Sequence, residues 1–217
     1  MPIRYSCFIS YPHGQGELLK QFIERLKTEL QNRIDFYLNH PPYHDEARLR
    51  PGYRFNEALA QAICESVCMI VVYVPKYEKS EYCLREYAAM EDLERLRRQL
   101  LGDRLKPDLG MIIPVVLRCA EEPGGQAKLP NWITESRQYS NFTKYATGTD
   151  DIFGHPDNMD EIEKIARVID ELYVALSELD VDPCGECREF RIPDAARVSD
   201  RLVKPRWAFP GWGNADE

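Results

Sequence analysis

The sequence lacks an apolar run long enough to cross a membrane. Its longest uninterrupted apolar stretch is 67–74, whereas a membrane helix needs roughly 20 such residues. The first residues, MPIRYSCFISYPHGQG, also lack the charged start, apolar middle and small-residue cleavage site of a secretory signal. We therefore expect a cytoplasmic protein without a membrane partner.

Basic residues are too few for a general nucleic-acid surface. The chain has 28 Lys and Arg against 36 Asp and Glu, which gives a net charge of -8 at pH 7. Binding to nucleic acid or anionic lipid needs an excess of Lys and Arg, because these residues displace the bound counterions. Outside local basic patches, the composition predicts no direct nucleic-acid partner.

Several motifs of known chemistry are missing or incomplete. The chain contains no GxxxxGK[ST] and no HExxH, so nucleoside triphosphate hydrolysis and zincin-type proteolysis have no support. The glycine turn at 13–16 lacks a third glycine, because Leu19 occupies its place, and a plain turn is favoured over a phosphate loop. Residues 11–13 also replace the aspartates that a response regulator needs after its first strand.

The cysteines, seven in number, do not suggest a disulfide framework. Cys184 and Cys187 have the spacing of half a zinc site, but a structural site needs four ligands and no second pair is present. We therefore predict ordinary cysteines in this pair and no metal site. The remaining cysteines lie in or beside apolar segments, which is typical of reduced, packed thiols: Cys7, Cys64, Cys68, Cys83 and Cys119.

Apolar strands alternate with amphipathic helices along the chain, which predicts a doubly wound α/β fold. The all-apolar segment 67–74 is typical of a parallel strand covered on both faces. Pro114 removes a backbone donor, so irregular pairing is expected there. Strands are predicted at 6–11, 34–38, 67–74 and 111–117, with a weak fifth at 132–136. Helices are predicted at 18–30, 53–65, 81–98 and 159–179. Ser80 is the predicted N-cap of the third helix.

The composition divides the chain into a domain at 1–180 and an extension at 181–217. The extension is rich in Pro, Arg and aromatic residues and has no clear period. Exposing three large aromatic side chains would create an unusual apolar patch. We therefore expect Trp207, Phe209 and Trp212 to pack the extension onto the domain.

Glu86 is the candidate functional residue. Residues three and four apart share a helix face, so it should neighbour Tyr82, Cys83 and Met90 at the rim of the apolar stripe, partly desolvated. A carboxylate near the end of a parallel strand suits the crevice where doubly wound sheets bind small ligands. A surface glutamate paired with Arg85 or another arginine explains the spacing equally well.

Several segments together resemble the Toll/interleukin-1 receptor (TIR) domain over about 5–179. Their order and spacing carry the resemblance, which implies a flavodoxin-like five-stranded parallel sheet with helices on both faces. The first box of the family is similar to CFISY, and its mobile loop and next helix are similar to RLRPGYRFNEALAQAICES. Its next strand and S-x-W-C-x-x-E helix start are similar to VCMIVVYVPKYEKSEYCLREY. Its fourth strand is similar to MIIPVVL.

The resemblance implies a bacterial enzyme of the NAD-consuming type, with Glu86 as its catalytic carboxylate. NAD+ would be the substrate, and neither a cofactor nor a metal is implied. Tyr82 stands where the family often has Trp, and Pro12 stands where a charged residue is common. A packed strand-end aromatic explains Tyr11 as well as a ligand contact does. The implied substrate contacts are Tyr11, His13, Arg50, Ser80 and Tyr82.

The resemblance also implies partners and alternatives. TIR domains associate with one another through the loop that here spans 40–54, and a separate sensor or effector protein fits a role in antiphage defence. One alternative is a non-enzymatic TIR scaffold that assembles through the same loop. Another is a nucleoside deoxyribosyltransferase-like enzyme, since that group also uses a glutamate on a related sheet.

Overall fold

The computed structural model describes residues 3–14, 16–43, 55–121, 127–135, 137–143, 153–179, 187, 189–195 and 198. The α-helices in these ranges are α1 (Glu17–Ile34), α2 (Phe55–Cys64), α3 (Glu81–Leu101), α4 (Asn131–Thr134) and α5 (Pro156–Ser177). The strands in these ranges are β1 (Tyr5–Ser10), β2 (Ser66–Tyr73), β3 (Ile112–Val116), β4 (Ala120–Glu121), β5 (Ala127–Lys128) and β6 (Ser140–Asn141). Of the helices within them, none combines the length and apolarity that crossing a bilayer requires.

A parallel sheet forms the centre of the fold, with strand order β1-β2-β3-β6. Every residue of β2 is buried, because a central parallel strand is covered on both faces. On the other side of β1, Tyr43 forms a single parallel bridge with Phe8. The predicted doubly wound parallel α/β fold is confirmed, with four paired strands and this bridge among the described residues.

Two of the predicted strands are wrong. The segment 34–38 continues α1 and then turns, because the Leu38 N–H donates to the Ile34 carbonyl. Phe36 is 86% exposed instead of packing in the core. The segment 132–136 begins as the short helix α4, and the strand at this edge of the sheet is β6 instead.

Pro114 pairs in register with Val71, without the predicted irregularity. The Met69 N–H donates to the Met111 carbonyl on one side of β3, and the Phe142 N–H donates to the Val116 carbonyl on the other. Because alternate residues of a strand point their backbone groups to opposite neighbours, Pro114 faces β6. Pairing with β6 starts only at Val115, so the missing N–H disturbs no ladder bond.

A buried ion pair ties α3 to the chain before β6. Arg137 Nη2 lies 2.6 Å from Glu94 Oε2, and both side chains are about nine-tenths buried. The Met111 N–H also donates to Glu94 Oε1 at 2.8 Å. Burial alone would raise the pKa of Glu94, but the hydrogen bond and positive charge of Arg137 outweigh burial and lower it.

A disulfide joins Cys64, at the end of α2, to Cys187 in the extension. Their Cα atoms are 5.7 Å apart, although 123 residues separate them in the sequence. The prediction of reduced thiols is therefore wrong for Cys64, and Cys187 is not an ordinary tail cysteine. The other described cysteines have free thiols, and burial raises the pKa of the Cys7 thiol to about 12.

The described part of the extension also touches α3. Arg85 Nε donates to the Pro193 carbonyl at 2.9 Å, and Val198 is buried. Packing of the whole extension onto the domain stays a prediction, because Cys184 and the three aromatic side chains lie outside the described residues.

We expect Cys187→Ser to lower the free energy of unfolding by about 2–4 kcal/mol, because the disulfide restricts a very long loop in the unfolded chain. Urea unfolding under non-reducing conditions measures the change, and dithiothreitol should lower the wild-type value similarly. Cys119→Ser is the matched control, since Cys119 is a free, partly exposed thiol. Equal stability of the wild-type protein with and without the reductant would contradict this expectation.

Candidate functional site

The end of β1 and the first turns of α3 meet at Glu86. The helix α3 begins at Glu81 because Ser80 Oγ accepts a hydrogen bond from the Cys83 N–H at 3.4 Å. This cap confirms the predicted helix start. Glu86 lies on the second turn of this helix and faces Ser10, the last residue of β1.

A chain of buried hydrogen bonds ends at the Glu86 carboxylate. Ser10 Oγ donates to Glu86 Oε2 at 2.6 Å. The same Ser10 oxygen lies 2.8 Å from the hydroxyl of Tyr77, and this hydroxyl also lies 3.2 Å from the Cys83 carbonyl oxygen. The chain therefore connects β1, the turn before α3 and the first turn of α3.

Glu86 is buried, with only 4% of its surface exposed. The prediction of a partly desolvated rim position is wrong. Cys83, Glu86, Tyr87 and Met90 are all buried and follow the i, i+3, i+4, i+7 pattern of one helix face, so Glu86 lies within the apolar stripe. Glu86 is therefore not a surface residue, and the predicted alternative of a pair with Arg85 is not observed, because Arg85 contacts Glu81 and the Pro193 carbonyl.

The titratable groups beside Glu86 keep their protons at neutral pH. Burial raises the pKa of Tyr77 well above its usual range, and the nearby Cys83 and Glu86 raise it further. Burial, followed by the charge of Glu86, also raises the pKa of the Cys83 thiol. Tyr77 and Cys83 therefore act as neutral groups around one carboxylate.

Tyr11, His13 and Tyr82 lie at the same ends of β1 and α3. Tyr11 directly follows β1 and is 4% exposed, and its ring centre is 4.8 Å from that of His13, which is exposed. Tyr82 lies on the first turn of α3 with 55% of its surface exposed. Arg50 lies outside the described residues.

Ser10 and Tyr77 are not among the residues that the sequence predicts for the site. The sequence places Ser10 in a strand and Tyr77 in the connection before α3, and it indicates no role for either. A buried hydroxyl at the carboxyl end of a parallel strand is a weak signal for Ser10, because that edge is where such sheets bind ligands. The contact with Glu86 spans 76 residues of sequence, so no local pattern indicates it.

An open groove of about 1400 Å³ lies elsewhere, between the second half of α3, the start of β3 and α5. Charged side chains of both signs line it, including Arg98, Glu135 and Lys164. Glu86 is not part of this groove. Ligands of doubly wound sheets bind at the carboxyl ends of the strands, whereas the groove borders Gly110 and Ile112, at the amino end of β3.

Metal ligands do not cluster in the described part of the chain. No group of three or more His, Cys, Asp or Glu side chains there could hold a metal ion. The geometry around Glu86 instead offers one carboxylate that accepts a hydrogen bond from the neutral hydroxyl of Ser10. Such a site can stabilise positive charge that develops on a bound ligand.

Comparison with known proteins gives two matches. A family model described as "TIR domain" matches residues 7–153 of this chain. A protein of Brachypodium distachyon named "Probable 2' cyclic ADP-D-ribose synthase BdTIR" is 41% identical over 108 residues, which are 49% of this chain and 44% of the relative. The chain thus spans less than half the length of that relative.

Proposed function

Because the chain belongs to the TIR domain family, we propose that it cleaves NAD+ at the bond between nicotinamide and ribose. The observation that carries this proposal is the buried carboxylate of Glu86 at the carboxyl end of β1, with a short hydrogen bond from Ser10. The similarity to a plant protein named for cyclic ADP-ribose synthesis supports the same substrate class.

Glu86 is the catalytic carboxylate in this proposal. Nicotinamide is a cation while it is bonded to the ribose and leaves as a neutral base, so no general acid has to protonate it. Positive charge then develops on the ribose, as in the oxocarbenium-like transition states of glycoside hydrolysis. A preorganised carboxylate in a buried site stabilises such charge more strongly than one in water does.

The acceptor of the ribosyl group decides the product. If water attacks the ribose carbon that nicotinamide leaves, the products are ADP-ribose, nicotinamide and a proton. If a hydroxyl group of the same ADP-ribose attacks, the products are a cyclic ADP-ribose, nicotinamide and a proton. Both outcomes use the same bond cleavage, so Glu86 has the same role in each.

The other substrate contacts belong to the same proposal. Tyr82 offers an exposed ring on which a base can stack, and it lies one helical turn from Glu86. Tyr11 and His13 follow the strand that carries Ser10. Ser80 and Arg50 complete the proposed set, although the measured contact of Ser80 is its helix cap.

The biological setting is proposed from the family resemblance. It comprises a bacterial source, a role in antiphage defence or effector signalling, and self-association through 40–54, with a separate sensor or effector protein as a further partner. Self-association would complete the crevice around Glu86 with residues of a neighbouring copy.

Incubation of the protein with NAD+, followed by chromatography and mass spectrometry, tests the proposal. We expect nicotinamide together with either ADP-ribose or a product lighter by one water. A dilution series tests assembly, since activity should rise more than linearly with protein concentration. If nicotinamide never exceeds the level of a heat-denatured control, the enzyme proposal fails and a scaffold role is favoured. Base exchange on a deoxyribonucleoside would instead indicate a transferase.

A further inference from the structure

Ser10 Oγ contacts Glu86 and Tyr77, and the Cys83 side chain is a third hydrogen-bonding neighbour. The positions of the protons follow from the first two contacts. A serine hydroxyl has one proton to donate, and an ionised carboxylate can only accept. The distance of 2.6 Å between Ser10 Oγ and Glu86 Oε2 is typical of a hydroxyl that donates to a carboxylate. The proton of Ser10 therefore points to Glu86.

The proton of Tyr77 follows from this assignment. Ser10 Oγ and the Tyr77 hydroxyl are 2.8 Å apart, and a hydrogen bond between them requires Tyr77 to donate once Ser10 has committed its own proton. The Cys83 carbonyl, 3.2 Å from the Tyr77 hydroxyl, is a second acceptor for the one Tyr77 proton. The shorter distance to Ser10 favours the donor order Tyr77 to Ser10 to Glu86.

Both hydroxyl groups are held by rigid parts of the fold. Ser10 is buried on β1, which pairs with β2 through Val71 at that position. Tyr77 is fully buried, and its ring packs near those of Tyr73 and Trp132 with centres 6.4 and 6.0 Å away. Donors fixed in this way orient an acceptor without reorganising during a reaction.

We propose that Ser10 and Tyr77 are positioning residues for Glu86, with Ser10 orienting the carboxylate through Oε2 and Tyr77 fixing the direction of the Ser10 proton. This role rests on the proposed function, because it assumes that Glu86 acts on a bound substrate. Ser10 should have the larger effect on the orientation of Glu86, since Ser10 can still donate to Glu86 when the Tyr77 hydroxyl is absent.

Removing the Ser10 hydroxyl should also change the titration of Glu86. A hydrogen bond to the ionised form of a carboxyl group favours that form, so its loss raises the pKa of the carboxyl group. Tyr77 and Cys83 also face Glu86, but burial raises the pKa of both. Neither therefore ionises at acid pH.

The variants Ser10→Ala and Tyr77→Phe test the proposal by the pH dependence of NAD+ cleavage. We expect Ser10→Ala to lower kcat roughly 10- to 100-fold, as misplaced catalytic groups do, and to move the acid limb of the profile to higher pH. Tyr77→Phe should produce smaller changes in the same directions. Ser10→Thr, which retains a hydroxyl, should restore the acid limb.

Ser6→Ala is the matched control, because Ser6 is a fully buried serine of the same strand and should retain the wild-type profile. If Ser10→Ala retains the wild-type kcat and acid limb, the proposal is overturned. An equal loss of kcat in Ser6→Ala, with the acid limb unmoved in both variants, would overturn it too. If Ser10→Ala fails to fold, the kcat and the acid limb of Tyr77→Phe test the proposal instead, and wild-type values of both would overturn it.

Carboxyl carbon-13 NMR provides a measurement that does not depend on activity. The titration midpoint of Glu86, assigned by its loss in Glu86→Gln, should lie higher in Ser10→Ala than in the wild-type protein. If the midpoint is higher in Ser10→Ala but neither the wild-type protein nor any variant cleaves NAD+, the proposed function is refuted. The hydrogen bond from Ser10 to Glu86 is then still supported. An unchanged midpoint would refute the positioning role, whatever the activity.

Discussion

Glu86→Gln is expected to lower the rate of nicotinamide release by a factor on the order of 10³ or more. Removing one preorganised group that stabilises transition-state charge typically costs a factor of about 10²–10³, and here the variant removes the charge of the proposed catalytic group. Glutamine keeps the shape of the side chain, so the proposed binding site for NAD+ is retained. Chromatography of nicotinamide over time measures the loss.

The stability of this variant separates chemistry from folding. The glutamine oxygen can still accept from Ser10, whereas its amide group brings two donors into a buried site. We expect the free energy of unfolding to change by about 1–2 kcal/mol, which leaves the protein folded at assay temperature. Glu81→Gln is the matched control, because Glu81 is exposed on the first turn of the same helix. Undiminished nicotinamide release by Glu86→Gln would refute its catalytic role.

Arg137→Met is expected to lower the free energy of unfolding by up to about 3–5 kcal/mol, which is the cost of leaving a buried charge without its partner. Glu94 is only one-tenth exposed, but it keeps the Met111 N–H and Arg98 as weaker partners, so this range is an upper limit. Replacing both residues in the double variant Glu94→Leu, Arg137→Met should recover much of the loss. Urea unfolding at pH 7 measures each variant.

The pH dependence of the free energy of unfolding provides a second test of this ion pair. The pKa of Glu94 is lower in the folded protein than its usual value. Its contribution to stability is therefore fully present above the unfolded pKa and is lost as the pH falls through the folded pKa. In Arg137→Met this contribution should become smaller, because Met111 and Arg98 remain as the other groups that lower the pKa of Glu94. Wild type and variant should therefore become more alike in stability at acid pH.

Lys106→Met is the matched control for the ion pair. Lys106 Nζ lies 3.0 Å from Glu171 Oε2, but both side chains are about half exposed or more. Exposed pairs of this kind contribute about 0–1 kcal/mol. An effect of Arg137→Met as small as that of Lys106→Met would show that the buried pair does not hold α3 to the sheet.

The sequence predicted those elements whose signals are local. The apolar run of β2 and the capping serine of α3 are such signals, because burial on both faces and the first turn of a helix each constrain neighbouring residues. The strand predicted at 34–38 is wrong because a five-residue segment rich in apolar side chains is also compatible with the end of a helix and a turn. There the backbone donors found partners within α1.

The candidate site was predicted less completely, because its contacts are long-range. Glu86 was identified from its helix position, but its burial depends on how α3 is rotated against β1, which spacing alone left open. The contacts of Ser10 with Tyr77 and Glu86 span 67 and 76 residues. The partner of Cys64 is 123 residues away, and no periodic pattern links such distant positions.

The disulfide between Cys64 and Cys187 also divides the domain into a covalent ring and an arm. The ring contains β2, α3, β3, β6 and α5, whereas β1, α1 and nearly all of α2 belong to the arm. A protease that cuts one peptide bond within the ring leaves both pieces attached until the disulfide is reduced. Glu86 lies on the ring and Ser10 on the arm, so the carboxylate and its donor remain on one molecule after such a cut.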